Sequence, residues 1–386
     1  MSGAGEYRRP MFMMFIGSVH MLIEELVGFS NKYGSDPELV LAGGGNTSAK
    51  ENGRMWVKGS GVSLAQITAQ DFVEMELEKL MKIFEKEYPD SDDEREAAVL
   101  SDLMAARAEG SKDKRPSVET TLHALFEYRF VLHLHPALVN GLTCSKGGEP
   151  AARRVIKHDF IWIEQCRPGY ILAKICSDKM AEYKRIKGTA CDMLLLENHG
   201  IFVAGDTVAQ LGEKLSCVLS ELKEALVQTP QIKKAQTEYT CSMASSLKDC
   251  FPEDFVCLPA DFELPSEFLS DKKGVAPLLR PFTPDHIVYC RAYPLWLDDM
   301  DSAREEIEKY REKYGVLPKV IMVKKTGVFF AGENEKQVRT ACALFEDATK
   351  IALYSRSFGG ESHMTEELTD FIVNWEVESY RSSKNG

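Results

Sequence analysis

The chain has 386 residues, 44% hydrophobic and 27% charged, with 27 Gly and 16 Pro. That balance excludes disordered, collagen-like and coiled-coil classes, and the length predicts two or three domains. Lys and Arg number 47 against 59 Asp and Glu, a net charge of −12, which excludes a whole-surface nucleic-acid binder. An anionic substrate would need a local cluster of donors against this background. The ten cysteines are irregularly spaced and many sit in apolar runs, such as Cys217 and Cys342. They read as buried thiols of a reducing, cytoplasmic compartment. No run approaches the ~18 apolar residues of a membrane span, so no membrane partner is expected.

The opening "YRRPMFMMFIGSVHMLIEEL" mimics a signal peptide, yet its helical periodicity continues to Glu24 and Glu25. It predicts an amphipathic first helix rather than a cleaved leader. "SDPELVLAGGGNTSAK" predicts a strand running into a glycine turn, and "GRMWVKGSG" a short strand ending in Gly59-Ser60-Gly61. Residues 79–112 predict charged helix around a solvated loop, "YPDSDDERE". In "RPSVETTLHALFEY" Ser117 is a good N-cap, with Leu122, Leu125 and Phe126 as the apolar face. "RFVLHLHP" predicts a strand closed by Pro136.

"DMLLLENHGIFVAGD" predicts two strands around a tight turn, followed by a long amphipathic helix. This unit recurs in "VIMVKKTGVFFAGENEKQVRTACALFEDATKIAL": one offset of 127 residues aligns Gly200 with Gly327 and Gly205 with Gly332. The recurrence predicts a second, related α/β unit. The polar stretch near 228–275 supplies a junction, giving domains over residues 1–245 and 246–386. "GGESHMTEELTDFIVNWEVESYR" predicts a terminal helix whose Phe371, Ile372, Trp375 and Val377 pack inward.

His133 and His135 carry the most chemical information. Residues i and i+2 of a strand share a face, so the two imidazoles form a ready grip for a transition metal. The alternative is a half-buried strand that alternates histidine with leucine. His199, in the turn after an apolar strand, would complete three protein ligands and leave an open position. In the second copy Thr326 takes the place of His199, so the metal belongs to the N-terminal domain. The metal-free C-terminal domain is then an interaction or oligomerisation unit. Glu119, one element before the H-x-H strand, is either an acid/base beside the metal or a carboxylate favoured by a helix N-terminus. His123 shares its helix face and is expected to support or pack rather than ligate. The turns "GGGNTSAK" and "VKGSG" expose backbone N–H groups suited to a phosphate, with Asn46, Ser60, Gly61 and Ser117 as donors. Hairpin geometry alone is the competing account.

The ordered motifs "LAGGGNTSAK", "MWVKGSGVSLAQIT", "RPSVETTLHALF", "VLHLHP" and "LLLENHGIFVAGD" resemble the class II aldolase/adducin family. "CRPGYILAK" and "PFTPDHIV" are similar to the aldolase half of bifunctional rhamnulose-phosphate aldolase/short-chain dehydrogenase proteins. The resemblance implies an α/β/α layered domain with a mixed, largely antiparallel sheet, plus a smaller related C-terminal α/β domain. It implies one Zn²⁺ per chain on His133, His135 and His199, with Glu119 transferring the proton and phosphate held by Asn46, Ser60, Gly61 and Ser117. The implied activity is reversible cleavage of a ketose 1-phosphate to dihydroxyacetone phosphate and an aldehyde, in a homo-oligomer. Epimerases, dehydratases and non-catalytic adducin-type modules share the family. Two features depart from it: the chain carries no Rossmann glycine fingerprint, and Val118 follows Ser117 where many members have a second hydroxyl.

Overall fold

A computed structural model describes residues 8–235 and 238–375. The chain begins with α1 (Arg8–Gly34), β1 (Asn46–Glu51), β2 (Arg54–Lys58), β3 (Phe72–Glu76), α2 (Leu77–Lys82) and α3 (Asp92–Ala105). Next come α4 (Thr120–Leu125), β4 (Phe130–Leu134), α5 (Ala137–Thr143), α6 (Gly148–Val155), β5 (Ile161–Ile163) and α7 (Tyr170–Lys187). A hairpin of β6 (Met193–Leu196) and β7 (Gly200–Gly205) leads into α8 (Val208–Glu224) and α9 (Glu238–Lys248). The remainder holds β8 (Val256–Pro259), α10 (Lys272–Val275), α11 (Pro284–Cys290), β9 (Leu295–Leu297) and α12 (Ala303–Tyr314). It closes with β10 (Val320–Val323), β11 (Gly327–Gly332), α13 (Glu335–Ser355) and α14 (Glu366–Asn374). No helix among the described residues is long and apolar enough to cross a membrane.

The α/β class expected from the sequence is present. A seven-stranded sheet has the order β3-β2-β1-β4-β7-β6-β5, and a four-stranded sheet the order β8-β11-β10-β9. The pairs β1–β2, β2–β3 and β1–β4 are antiparallel. In the smaller sheet β8–β11 and β10–β11 are antiparallel and β9–β10 parallel. Contacts define two compact units: Met1–Leu134, Asp159–Leu194 and Phe202–Ser216 in one; His135–His158, Leu195–Ile201 and Cys217–Gly386 in the other. The first buries Met55, Val57, Val73 and Met75 of β2 and β3 with Leu80 and Leu103. The second buries Leu297, Ile307, Ile321, Val323 and Phe329 around the smaller sheet.

The recurrence is borne out by the strands themselves. β10 and β11 begin and end 127 residues after β6 and β7, and the chain continues into α13 as it does into α8. Both turns place a non-glycine residue in the left-handed region, Asn198 at φ 55° and Lys325 at φ 56°. Both close with the same bond, His199 N to Leu196 O at 3.2 Å and Thr326 N to Val323 O at 3.0 Å. The strand orders β5-β6-β7-β4 and β9-β10-β11-β8 also correspond.

Several local expectations are corrected. Leu39 to Gly45 form no strand; β1 starts only at Asn46, because Ala42 and Gly45 both take positive φ and break an extended run. Ser117 is not the cap of α4: the helix starts three residues later, with Glu119 in the cap position. The hydroxyl of Ser117 instead accepts the Glu119 N–H within a turn. "DDERE" opens α3 rather than a loop, and its three leading acids favour the helix N-terminus. The C-terminal helix begins at Glu366, capped by the Thr365 hydroxyl, since Gly359 and Gly360 have φ of +100° and +87°. Ile372 and Trp375 are buried, Phe371 packs partly against the same cluster, and Val377 lies outside the described residues. All ten cysteines are free, but Cys217 is exposed on α8, whose buried face is Leu211, Leu215, Val218 and Leu222.

Within the second unit α13 lies directly on α5 at Gly141, where an added Cβ would stand 2.3 Å from the Tyr354 Cβ. Two helix backbones that close must separate to accept a methyl. Gly141→Ala is therefore expected to destabilise by about 1–3 kcal/mol, despite the better helix propensity of alanine. Chemical denaturation measures this; an unchanged midpoint would contradict the close packing.

Candidate metal centre

The site grows from the pairing of β1 with β4, which sets Asn46 opposite His133. His133 is fully buried near the end of β4, and Phe202 of β7 stacks on its ring at 3.9 Å and 15°. Glu119, in the cap position of α4, brings Oε1 to 3.1 Å from His133 Nε2. Its other oxygen accepts a hydrogen bond from the Asn46 amide. His135 directly follows β4, and Pro136 ends the strand behind it. Its ring meets His199, in the β6–β7 turn, edge-on at 5.1 Å. His135 Nδ1 is 2.6 Å from Asp285 Oδ2. Glu119, His133, His135 and His199 each offer one ligand atom, and these four atoms lie within 4.8 Å of one another. Three imidazoles and a carboxylate on so small a sphere suit a zinc-like transition ion. The buried Asn46 Oδ1 beside them has no hydrogen-bond partner among the described residues, and a bound group would satisfy it.

Of the four candidate phosphate residues, Asn46 opens β1, Ser60 and Gly61 follow β2, and Ser117 precedes α4. Gly45 needs its φ of +66°, and a Cβ there would sit 2.9 Å from His133 O. The β2 end bridges the segment before α4 through Gly59 and Pro116. Ser60 N donates to Arg115 O at 2.8 Å, and Ser117 N to Lys58 O at 3.2 Å. Sequence reasoning missed Lys58, whose buried Nζ donates to Gly43 O at 3.1 Å and Val62 O at 2.7 Å. It ties the two glycine turns together. A lysine at the inner end of an apolar strand was the available signal. Phe202 was missed too, because it reads as ordinary strand core.

His123 is fully buried and is not among the four clustered ligand residues, with Nδ1 2.8 Å from Ser48 Oγ. Burial holds its pKa well below the usual range, so the ring stays neutral. It meets the edge of Phe202 at 5.4 Å, supporting the ring that supports His133.

A family model described as Class II Aldolase and Adducin N-terminal domain matches residues 24–222. The chain belongs to this family. All eight candidate residues fall inside the matched span, whereas Asp285 falls outside it. The chain is 25% identical to the uncharacterised oxidoreductase YuxG of Bacillus subtilis, over 93% of this chain and 58% of that protein. It thus spans less than two thirds of that relative's length. Among solved structures, an N-terminal class II aldolase domain from Thermoplasma acidophilum shares 26% identity with a TM-score of 0.45, covering 52% of this chain and 92% of that one. L-fuculose-1-phosphate aldolase from Thermus thermophilus shares 18% identity with a TM-score of 0.34, covering 53% and 91%.

Proposed function

We propose that this class II aldolase family member is a metal-dependent lyase. Its reaction is reversible cleavage of a ketose 1-phosphate, of the rhamnulose or fuculose type, to dihydroxyacetone phosphate and an aldehyde. One observation carries the reading: Asn46 joins both parts of the site. It directly follows the glycine turn of the phosphate loops, pairs with His133 across the sheet, and donates to Glu119. These contacts support a ligand anchored at the loops lying beside the carboxylate.

His133, His135 and His199 would hold Zn²⁺, which when bound supplies Lewis acidity at a substrate carbonyl. The phosphate would be met by Asn46, the hydroxyls of Ser60 and Ser117 and the N–H of Gly61. Fixing the substrate there removes freedom that the uncatalysed reaction must lose at the barrier. In cleavage Glu119 takes the proton of the hydroxyl whose carbon becomes the aldehyde and passes it to the carbon that loses that fragment; in the aldol direction both transfers reverse. One of the Glu119 oxygens is held by the Asn46 amide, so the carboxylate is oriented before substrate arrives.

The test joins elemental analysis to product identification. Purified protein is expected to hold about one transition-metal ion per chain, and to release dihydroxyacetone phosphate from one member of a ketose 1-phosphate panel. Less than half an equivalent, persisting after zinc is supplied, would sink the metal site. An inverted stereocentre without cleavage would make it an epimerase, and loss of water a dehydratase. A fully metallated protein that turns over none of the panel, nor pentulose 5-phosphates, would point to an adducin-like interaction module.

A further inference from the structure

We propose that Asp285 is a positioning residue of the metal centre, fixing the His135 imidazole as the tautomer that carries its proton on Nδ1. The inference rests on the metal-site reading above, and it assigns a role to a segment outside the family-matched residues. A carboxylate accepts hydrogen bonds and does not donate them, so the 2.6 Å contact puts the ring proton on Nδ1. The lone pair is then on Nε2. Carboxylates in this outer position orient a ligand ring and raise its basicity.

The segment that carries Asp285 is built to hold it. Asp285 is 4% exposed and stands in the first turn of α11, behind Pro284, where a negative charge is favoured. The next residue, His286, turns the other way: Nδ1 lies 3.2 Å from Thr283 Oγ1, and Nε2 lies 3.3 Å from Asp347 on α13. That brace fixes the rotation of α11 about its axis. Phe282 stacks on His363 at 4.6 Å, anchoring the strand-like residues before the helix.

The same segment reaches the other ligand of the second unit through its neighbour. Asn198, left-handed at φ 55°, donates its amide to Phe282 O and to Ser362 O, both at 2.9 Å. Asn198 immediately precedes His199, so the backbone that aims His199 is tied to residues 282 and 362. His135 by its ring and His199 by its turn are therefore both set by "PFTPDHIV" and the strap after α13. His133 is backed by the stacked Phe202 ring and lies 3.1 Å from Glu119.

The test uses the full-length protein and reads metal binding, not turnover. Dissociation constants for Zn²⁺ and Co²⁺ are measured by competition with a chromophoric chelator. Asp285→Ala is expected to bind about 10–100-fold more weakly than wild type. Asp285→Asn keeps the shape and an accepting oxygen without the charge, and an intermediate loss is expected. It also serves if the alanine variant does not fold. His286→Ala, which disturbs the brace but touches no ligand, is the control and is expected to lose less affinity than Asp285→Ala. Wild-type affinity in both Asp285 variants would overturn the inference while leaving the metal site standing. A wild-type protein that binds neither ion would overturn the metal site and the inference together.

Discussion

His133→Ala and His199→Ala are expected to strip the metal and abolish turnover together, whereas His123→Ala keeps its metal. The first two offer ligand atoms within the 4.8 Å cluster, and each removal takes away one of three imidazoles. The affinity loss should exceed the 10–100-fold typical of an outer support. His123 instead spends Nδ1 on Ser48 and lies edge-on to Phe202. Its truncation opens a cavity in a fully buried region and should cost about 2–4 kcal/mol of stability. Elemental analysis beside thermal unfolding separates the two effects: metal lost with the fold kept at residues 133 and 199, stability lost with the metal kept at residue 123. Equal metal loss in all three variants would show the ligand set to be misassigned.

Glu119→Gln should divide the site differently. The amide keeps the length of the side chain but removes the group able to carry a proton to and from carbon. We expect kcat to fall by about 10²–10⁴-fold, the usual range for one acid/base group, with KM and metal content little changed. That split matters because Glu119 has two contacts a purely structural role would also explain, Asn46 and His133. Were the residue only a brace, KM and metal affinity would shift while kcat stayed near wild type. Steady-state kinetics with metal analysis of the same preparation decides between them.

Much of this was legible because it is short-range. The H-x-H spacing needs only the two-residue period of a strand, and the turn at His199 follows from apolar runs on either side of "ENHG". The repeated hairpin was visible because identical turn geometry demands similar residues at Gly200 and Gly327. Errors arose where backbone conformation, not side-chain pattern, decided the outcome. The apolar Leu39 and Val40 suggested a strand, but positive φ at Ala42 and Gly45 forbids one. Ser117 has the chemistry of a cap, yet spends its hydroxyl on a turn two residues before the helix. Long-range partners could not be read at all. Asp285 lies 150 residues from His135, and only the folded chain shows why α11 belongs to the account of the metal centre. Lys58 was similarly hidden, since its value lies in two carbonyls on separate turns.

The paired hairpins separate mount from cargo. Asn198 and Lys325 share a left-handed conformation that costs most residues about a kilocalorie or more, and both turns keep it although only one offers an imidazole. The bend is thus maintained for the sake of strand pairing, and the residue after it is free to change. A histidine written into the second mount, Thr326→His, would be presented by the same backbone, where the cluster around His199 has no counterpart among the described residues. Adding a lone donor there should leave metal stoichiometry untouched. A binding function can then be lost or acquired at such a corner by a few substitutions, with the surrounding sheet indifferent to the exchange.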